Sequence, residues 1–117
     1  MIIGTTLLAK SSSAATVVYS PWFPRRGDAM TFVLDVISID NATIDVSAYT
    51  KNSQSIDPGT AASGTSISET ATTGTAPASA RVNDLLEWVR FKYEVTADPG
   101  TDGFVHFRMR EPSWETN

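Results

Sequence analysis

"WVRFKYEVTADPGTDGFVHFRMR", residues 88–110, is the stretch that decides the fold. Apolar and polar residues alternate on both sides of its centre, where Asp98-Pro99-Gly100 is a strong turn signal. A period of two is typical of a β-strand with one buried face, so the stretch predicts two strands. Because the turn is short, we expect these strands to pair as a hairpin with one apolar and one basic face. The apolar face holds Val89, Phe91, Tyr93, Val95, Val105, Phe107 and Met109.

A second pair of alternating runs lies upstream. "AMTFVLDVISI" (29–39) and "ATIDVSAYT" (42–50) are separated only by Asp40-Asn41, so they also predict a hairpin. "MIIGTTLLA" (1–9) and "ATVVYS" (15–20) are shorter β-favouring runs, and we expect residues 1–19 to form an arm of edge strands. Lys10 follows the first apolar run instead of preceding it, which favours a strand over a secretory signal.

Residues 52–80 have a different composition, since they are rich in Ser, Thr, Gly and Ala. Their only large apolar residues are Ile56 and Ile67, so the segment predicts a long surface loop with one weak strand at "TSISET", 65–70. The alternative is an arm that becomes ordered on a partner. Between this segment and the decisive stretch, "SARVNDLLEW" (79–88) predicts a single helical turn capped near Asn83.

Length and composition favour one all-β domain over residues 1–117, an antiparallel β-sandwich or barrel-like domain with a long Ser/Thr/Gly/Ala-rich loop. The formal net charge of −4 argues against non-specific nucleic-acid binding, which needs a basic surplus. The chain has no cysteine and no apolar run near the roughly 20 residues that span a bilayer, so we expect neither disulfides nor membrane insertion.

No pattern of catalytic residues is present in the sequence. His106 is the only histidine, the carboxylates are scattered, and there is no glycine-rich phosphate loop. We therefore expect no enzymatic activity, no cofactor, no metal site and no catalytic residue. Arg26-Gly27-Asp28 matches an adhesion tripeptide, but its position before a strand favours a turn. Asn41-Ala42-Thr43 matches a glycosylation acceptor, and a turn is again the simpler interpretation.

Interface residues are the remaining candidates. A basic row is predicted on the polar face of the hairpin: Arg90, Lys92, His106, Arg108 and Arg110. Like charges facing each other across a strand pair cost stability unless they are neutralised. The neutralising groups are either carboxylates on neighbouring strands (Glu94, Glu87, Asp35 or Asp45) or an acidic surface of another subunit.

Aromatic residues beside prolines form a second group of interface candidates. Trp22 and Phe23 lie between Pro21 and Pro24, and this stiff segment either closes one end of the core or presents a contact. Trp114 lies in the predicted C-terminal tail, 111–117, where it either folds back on the domain or binds a partner.

The stretches "SPWFPRRGDAMTFVLDV" (20–36), "ATIDVSAYTKN" (42–52) and "WVRFKYEVTADPGTDGFVHFRMREPSW" (88–114) together resemble small β-rich structural proteins of tailed-bacteriophage particles, in particular head decoration or cement proteins. The resemblance is one of pattern, contains no diagnostic motif and excludes the 52–80 segment. It implies a domain that binds symmetric positions on the capsid of a virion assembled in the bacterial cytoplasm. It further implies a homo-oligomer, often a trimer, that clamps major capsid protein subunits together without catalysis.

Two other functions stay open at this point. A carbohydrate-binding β-sandwich would present exposed, coplanar tryptophans that stack on sugar rings. A small enzyme would depend on His106, the single candidate for acid–base chemistry.

Overall fold

The computed structural model describes residues 3–9, 15–52, 59–61, 63–64, 66–70 and 78–115. Within these ranges the chain forms strands and no helix, which confirms the all-β class. The strands are β1 (Ile3–Ala9), β2 (Thr16–Tyr19), β3 (Phe23–Pro24), β4 (Ala29–Asp40), β5 (Ala42–Lys51), β6 (Thr60–Ala61), β7 (Ser63–Gly64), β8 (Ile67–Thr70), β9 (Ala78–Asn83), β10 (Trp88–Ala97), β11 (Gly103–Met109) and β12 (Ser113–Glu115). No helix in the described part is long and apolar enough to span a membrane.

Two six-stranded antiparallel sheets make up the domain. Sheet I has the order β1-β11-β4-β9-β7, with β12 also paired to β4. Sheet II has the order β2-β10-β5-β6, with β3 also paired to β10 and β8 to β5. The two sheets pack as a β-sandwich, and β1 and β2 each lie at the edge of their sheet.

The core lies between the sheets and is formed by the alternating apolar residues. Phe32, Leu34 and Phe107 from sheet I are fully buried. Phe32 and Phe107 pack with Phe91 and Tyr93 from sheet II in a row of tilted aromatic contacts, with ring centroids 5.1 to 6.3 Å apart. The faces assigned from the period of two are therefore confirmed, because the predicted apolar face is the one that is buried.

Both predicted hairpins are wrong. β10 pairs along its whole length with β5, and β11 pairs with β1 and β4, so the 98–102 connection crosses from sheet II to sheet I. In the same way, β4 and β5 lie in different sheets although only Asn41 separates them. Alternation tells which face of a strand is buried, but it does not tell which strand lies beside it.

The two crossing connections pack against each other at one end of the sandwich. Asn41 has a φ of 52°, the left-handed conformation expected of Asn in a turn, and its carbonyl accepts a 2.8 Å hydrogen bond from the Asp98 N–H. Gly103 begins β11 at this point, and a Cβ there would overlap the carbonyl oxygens of Asp40 and Asn41. A residue without a side chain is thus needed for the two connections to approach this closely.

The 52–80 segment contains more regular structure than predicted. β6, β7, β8 and the start of β9 lie within it, and β8 confirms the weak strand expected at 65–70. Ile67 is 4% exposed and Ala80 is 5% exposed, so both belong to the core. The prediction of a loop with little core is wrong for these residues, whereas Ile56 lies outside the described residues. Ordering of the segment on a partner stays a prediction.

The predicted helical turn at 79–88 is also wrong. β9 occupies its first half, and its Ala80 and Val82 pair with Phe32 and Met30 of β4. The chain then turns at Asp84, whose φ is 55°, before Leu85 is buried. Strand pairing outweighs a weak local helical preference in so short a segment.

Candidate functional site

The five residues of the predicted basic row lie on two opposite faces of the sandwich. Arg90 and Lys92 are on the outer face of sheet II, whereas His106 and Arg108 are on the outer face of sheet I and Arg110 follows β11. A single continuous row is therefore wrong, for the same reason that the hairpin is wrong.

On sheet I, Arg108 and Arg110 share one carboxylate of the neighbouring strand β4, which compensates part of their charge. Asp35 accepts hydrogen bonds from Arg110 Nε at 2.8 Å, Arg110 Nη2 at 3.2 Å and Arg108 Nε at 3.1 Å. The hydrogen bond from Arg110 is the main cause that lowers the pKa of Asp35 from its ordinary value. Nearby, His106 Nδ1 lies 2.8 Å from Thr6 Oγ1. The interpretation that neighbouring strands supply the compensating charge is confirmed for these two arginines.

On sheet II the basic residues contact aromatic rings, and this surface is the candidate site. We define the aromatic–cation surface by six residues: Tyr19, Trp22, Tyr49, Lys51, Arg90 and Lys92. The Arg90 guanidinium carbon lies 4.0 Å from the Tyr19 ring centroid and 4.5 Å from the Trp22 ring centroid. Two rings thus hold one guanidinium in place by cation–π contact and stacking.

The lysines complete this surface. Lys51 Nζ lies 4.6 Å from the Trp22 ring centroid, and Lys92 Nζ lies 5.8 Å from the Tyr49 ring centroid. Strand register places Arg90 directly opposite Tyr49 and Lys92 directly opposite Tyr19, so the contacts of Arg90 with Tyr19 and of Lys92 with Tyr49 are diagonal ones. The result is a group of cations distributed among aromatic rings over β2, β10 and β5.

Backbone packing fixes the position of Trp22. Gly59 has a φ of +93°, and a Cβ there would lie 2.7 Å from Trp22 Cη2 and 3.0 Å from the Thr50 carbonyl oxygen. The indole of Trp22, which directly precedes β3, therefore extends to residue 59 in the chain segment that follows β5. A side chain at residue 59 would displace the indole from Arg90 and Lys51.

Phe23 and Trp114 do not belong to this surface. The Phe23 ring packs 5.6 Å from Phe91 and 6.2 Å from Trp114, and both residues are partly buried against the core. Trp114 lies in β12 opposite Met30 of β4, so it folds back on the domain and does not lie in an exposed tail. The two aromatics border a small cleft of about 100 Å³ that is also lined by Pro24, Arg26, Glu111 and Pro112.

The Arg26-Gly27-Asp28 tripeptide forms a bend between β3 and β4, as predicted. The Asp28 N–H donates a 2.9 Å hydrogen bond to the Glu115 carbonyl, and the Asp28 carboxylate pairs with Arg25 at 3.3 Å. A side chain at Gly27 would overlap the backbone of Glu115. The glycine is needed for packing against β12.

Sequence reasoning found half of the aromatic–cation surface. Trp22, Arg90 and Lys92 were predicted as interface residues, whereas Tyr19, Tyr49 and Lys51 were not. In 42–50 the alternation puts Tyr49 on the same face as Asp45 and Ser47, and this was the signal available. The missing information was the neighbour of each strand, which the period of two does not give.

In the described part of the chain, no group of three or more His, Cys, Asp or Glu residues is arranged to hold a metal ion. No protein-family model matches the chain, and searches of curated proteins and of solved structures give no significant match. The class that the structure defines is therefore an antiparallel β-sandwich with an aromatic–cation surface on one outer face.

Proposed function

We propose that this chain is a non-enzymatic structural protein that binds an acidic surface of another protein through its aromatic–cation surface. The observation that carries the proposal is the Arg90 guanidinium, which lies against Tyr19 and Trp22 with Lys51 and Lys92 beside it. The formal net charge of the whole chain is −4, so this concentration of cations is local.

Preorganisation makes the surface suitable for binding carboxylates. An arginine normally loses side-chain entropy when it becomes fixed at an interface, and stacking between aromatic rings reduces that loss in advance. Arginine, tryptophan and tyrosine are also the residue types that dominate binding energy at protein interfaces. An acidic partner surface complements both the charge and the composition of this site.

The setting we propose is the outside of a tailed-bacteriophage capsid, with the major capsid protein as the acidic partner and assembly in the bacterial cytoplasm. The pattern resemblance to decoration and cement proteins supports this setting, and the β-sandwich architecture agrees with it.

The geometry disfavours the carbohydrate-binding alternative. Stacking on sugar rings needs open, coplanar aromatic faces, but Arg90 and Lys51 already lie over the Trp22 ring. The Tyr19 and Tyr49 rings are perpendicular to each other, with an interplanar angle of 90°. The three rings therefore do not form one flat platform.

Density-gradient fractionation of a lysate of the source, with mass spectrometry across the fractions, tests the setting. We expect peptides of this chain to band with large particles at a constant ratio to one dominant protein. Recovery only among small soluble proteins would overturn the capsid setting.

A binding titration tests the surface itself, with poly-L-glutamate as the probe and calorimetry as the readout. Arg90→Gln removes a charged hydrogen-bond donor, worth about 1.5 kcal/mol or more, so we expect at least a roughly tenfold loss of affinity. Arg26→Gln is the matched control, because Arg26 is exposed and lies off the aromatic–cation surface. Equal affinities of wild type and Arg90→Gln, or preferential binding of an oligothymidine probe, would show that the acidic-protein assignment is wrong.

A further inference from the structure

Exposed apolar side chains concentrate on one side of the sandwich. Six large apolar residues are exposed in the described part of the chain, and four of them lie on β1 and β2. These four are Leu8, Val17, Val18 and Tyr19, at 63%, 43%, 37% and 41% exposure. We call them the β2 edge strip.

One side of the β2 backbone has no partner among the described strands. β2 pairs with β10 on one side, and none of the described strands pairs with its other side. The Ser20 N–H donates to the Phe91 carbonyl at 2.9 Å. Successive N–H groups of a strand point in opposite directions, so the backbone N–H of Val18 also points to β10. The backbone N–H and C=O groups of Val17 and Tyr19 therefore point to the open edge.

β1 lies beside this edge in the other sheet. Thr16 Oγ1 donates a 2.7 Å hydrogen bond to the Leu8 carbonyl, which joins the two edge strands across the sandwich. Within the described ranges, the strip therefore combines backbone groups that have no strand partner with an apolar border, whereas monomeric proteins usually protect such edges with charged residues or proline.

The lack of charged residues on β1 and β2 favours a second copy of this chain as the partner. At a two-fold contact, a side chain near the axis lies opposite the same side chain of the other copy. Two like charges would repel each other there, so a strand that pairs with its own copy needs to be neutral near the axis. The sequences of β1 and β2, "IGTTLLA" and "TVVY", contain no charged residue. Strand β8 at the opposite side of sheet II contains Glu69.

We propose that β2 pairs antiparallel with β2 of a second copy of this chain, about a two-fold axis that is perpendicular to sheet II and passes between the two Val17 residues, which exchange their backbone hydrogen bonds. Such an axis keeps the outer faces of both copies on the same side, so the alternation of inner and outer residues is preserved. The two aromatic–cation surfaces then lie side by side on one face, which makes the pair bivalent toward a repeating partner. The contact gives a dimer instead of the trimer that the resemblance implies.

Sedimentation velocity of the full chain over a range of concentrations tests this inference without any acidic partner, so its outcome is independent of the proposed function. We expect wild type to sediment at twice the chain mass of 12.6 kDa. Val17→Lys brings two ammonium groups together across the axis, whereas inside one copy residue 17 is opposite Glu94, which favours the folded monomer. We therefore expect Val17→Lys to be folded and monomeric.

Ile37→Lys is the matched control, because Ile37 is 57% exposed and lies on β4 in sheet I. We expect this variant to remain a dimer. A wild-type mass of 12.6 kDa at every concentration, or a Val17→Lys variant that stays dimeric, would overturn the inference.

Cross-linking gives a second measurement that does not depend on weakening the contact. The chain has no cysteine, so Val17→Cys introduces a single thiol. Under diamide we expect two such thiols to form one disulfide between copies, seen as a dimer on a non-reducing gel. The same yield from Ile37→Cys would indicate random collision and contradict the proposed pairing.

Discussion

The buried hydroxyl of Tyr93 gives the sharpest stability prediction. Tyr93 is 2% exposed, its ring centroid lies 5.1 Å from that of Phe107, and its hydroxyl has no hydrogen-bond partner among the described residues. Burial of an unsatisfied hydroxyl costs about 1–3 kcal/mol. Tyr93→Phe removes this cost and leaves a gap of one oxygen atom, so we expect a net gain of about 1 kcal/mol in the free energy of unfolding.

Urea unfolding and calorimetry measure this gain. For a domain of this size, about 1 kcal/mol corresponds to a rise of roughly 4–5 °C in Tm, with an unchanged dependence on urea. Tyr49→Phe is the control, because Tyr49 is only partly buried and lies on the outer face of sheet II. We expect its stability to change by less than about 0.5 kcal/mol.

Alkaline pH provides an independent test of the same residue. Burial raises the pKa of Tyr93 in the folded state. The folded state therefore holds the hydroxyl proton more tightly than the unfolded state does. Below the unfolded pKa of about 10, ionisation of this group does not affect the free energy of unfolding, and as the pH rises from there toward the folded pKa that free energy falls. Tyr93→Phe should therefore lose less stability than wild type above about pH 10. A loss of stability at neutral pH in this variant would refute the reasoning, since it would mean that the hydroxyl is hydrogen-bonded in solution.

Two further predictions concern the ends of the sandwich and sheet I. Gly103→Ala should destabilise the fold by about 3 kcal/mol or more in urea unfolding, because its Cβ overlaps the backbone of Asp40 and Asn41. Gly100→Ala should cost only about 1 kcal/mol, since its φ is +81° but no atom lies within 4 Å, and equal losses would contradict the close approach at Gly103. Asp35→Asn should lower stability at pH 7 by about 0.5–1 kcal/mol, because both arginine partners are more than half exposed and solvent screens the ion pairs. Because the folded pKa of Asp35 is lowered, this contribution is present above the ordinary value of 3.8 and is lost as the pH falls through the folded pKa, so the unfolding curves of variant and wild type should converge in acid. A difference that persists unchanged at low pH would show that the carboxylate charge is not responsible.

The sequence allowed the strands and their buried faces to be predicted, because both depend on the local period of two. Phe91, Tyr93 and Phe107 were assigned to the apolar face and are buried in the core. The two hairpins were predicted from the length of the connecting turns, and here local reasoning failed. A turn at Asn41 serves equally well to reverse a strand within one sheet or to cross to the other, and only packing of the whole domain decides between them.

The candidate site shows the same limit. Arg90 and Lys92 were predicted on a polar face, but their aromatic partners come from three other segments of the chain. Trp22 reaches Arg90 only because Gly59 lets the indole lie against the backbone. Such a contact between distant residues leaves no periodic signal, so the sequence indicated the cations without indicating what surrounds them.

The crossing connections also determine how the chain can fold. Among the described strands, β5 and β6 are the only pair that are both consecutive and hydrogen-bonded. The contact between Thr6 and His106 closes a loop of 100 residues. During synthesis β1 therefore has to wait for β11, so sheet I completes only after residues 103–115 have left the ribosome. A topology with so few local pairs is expected to fold slowly, and until then its neutral edge strands remain exposed to other chains.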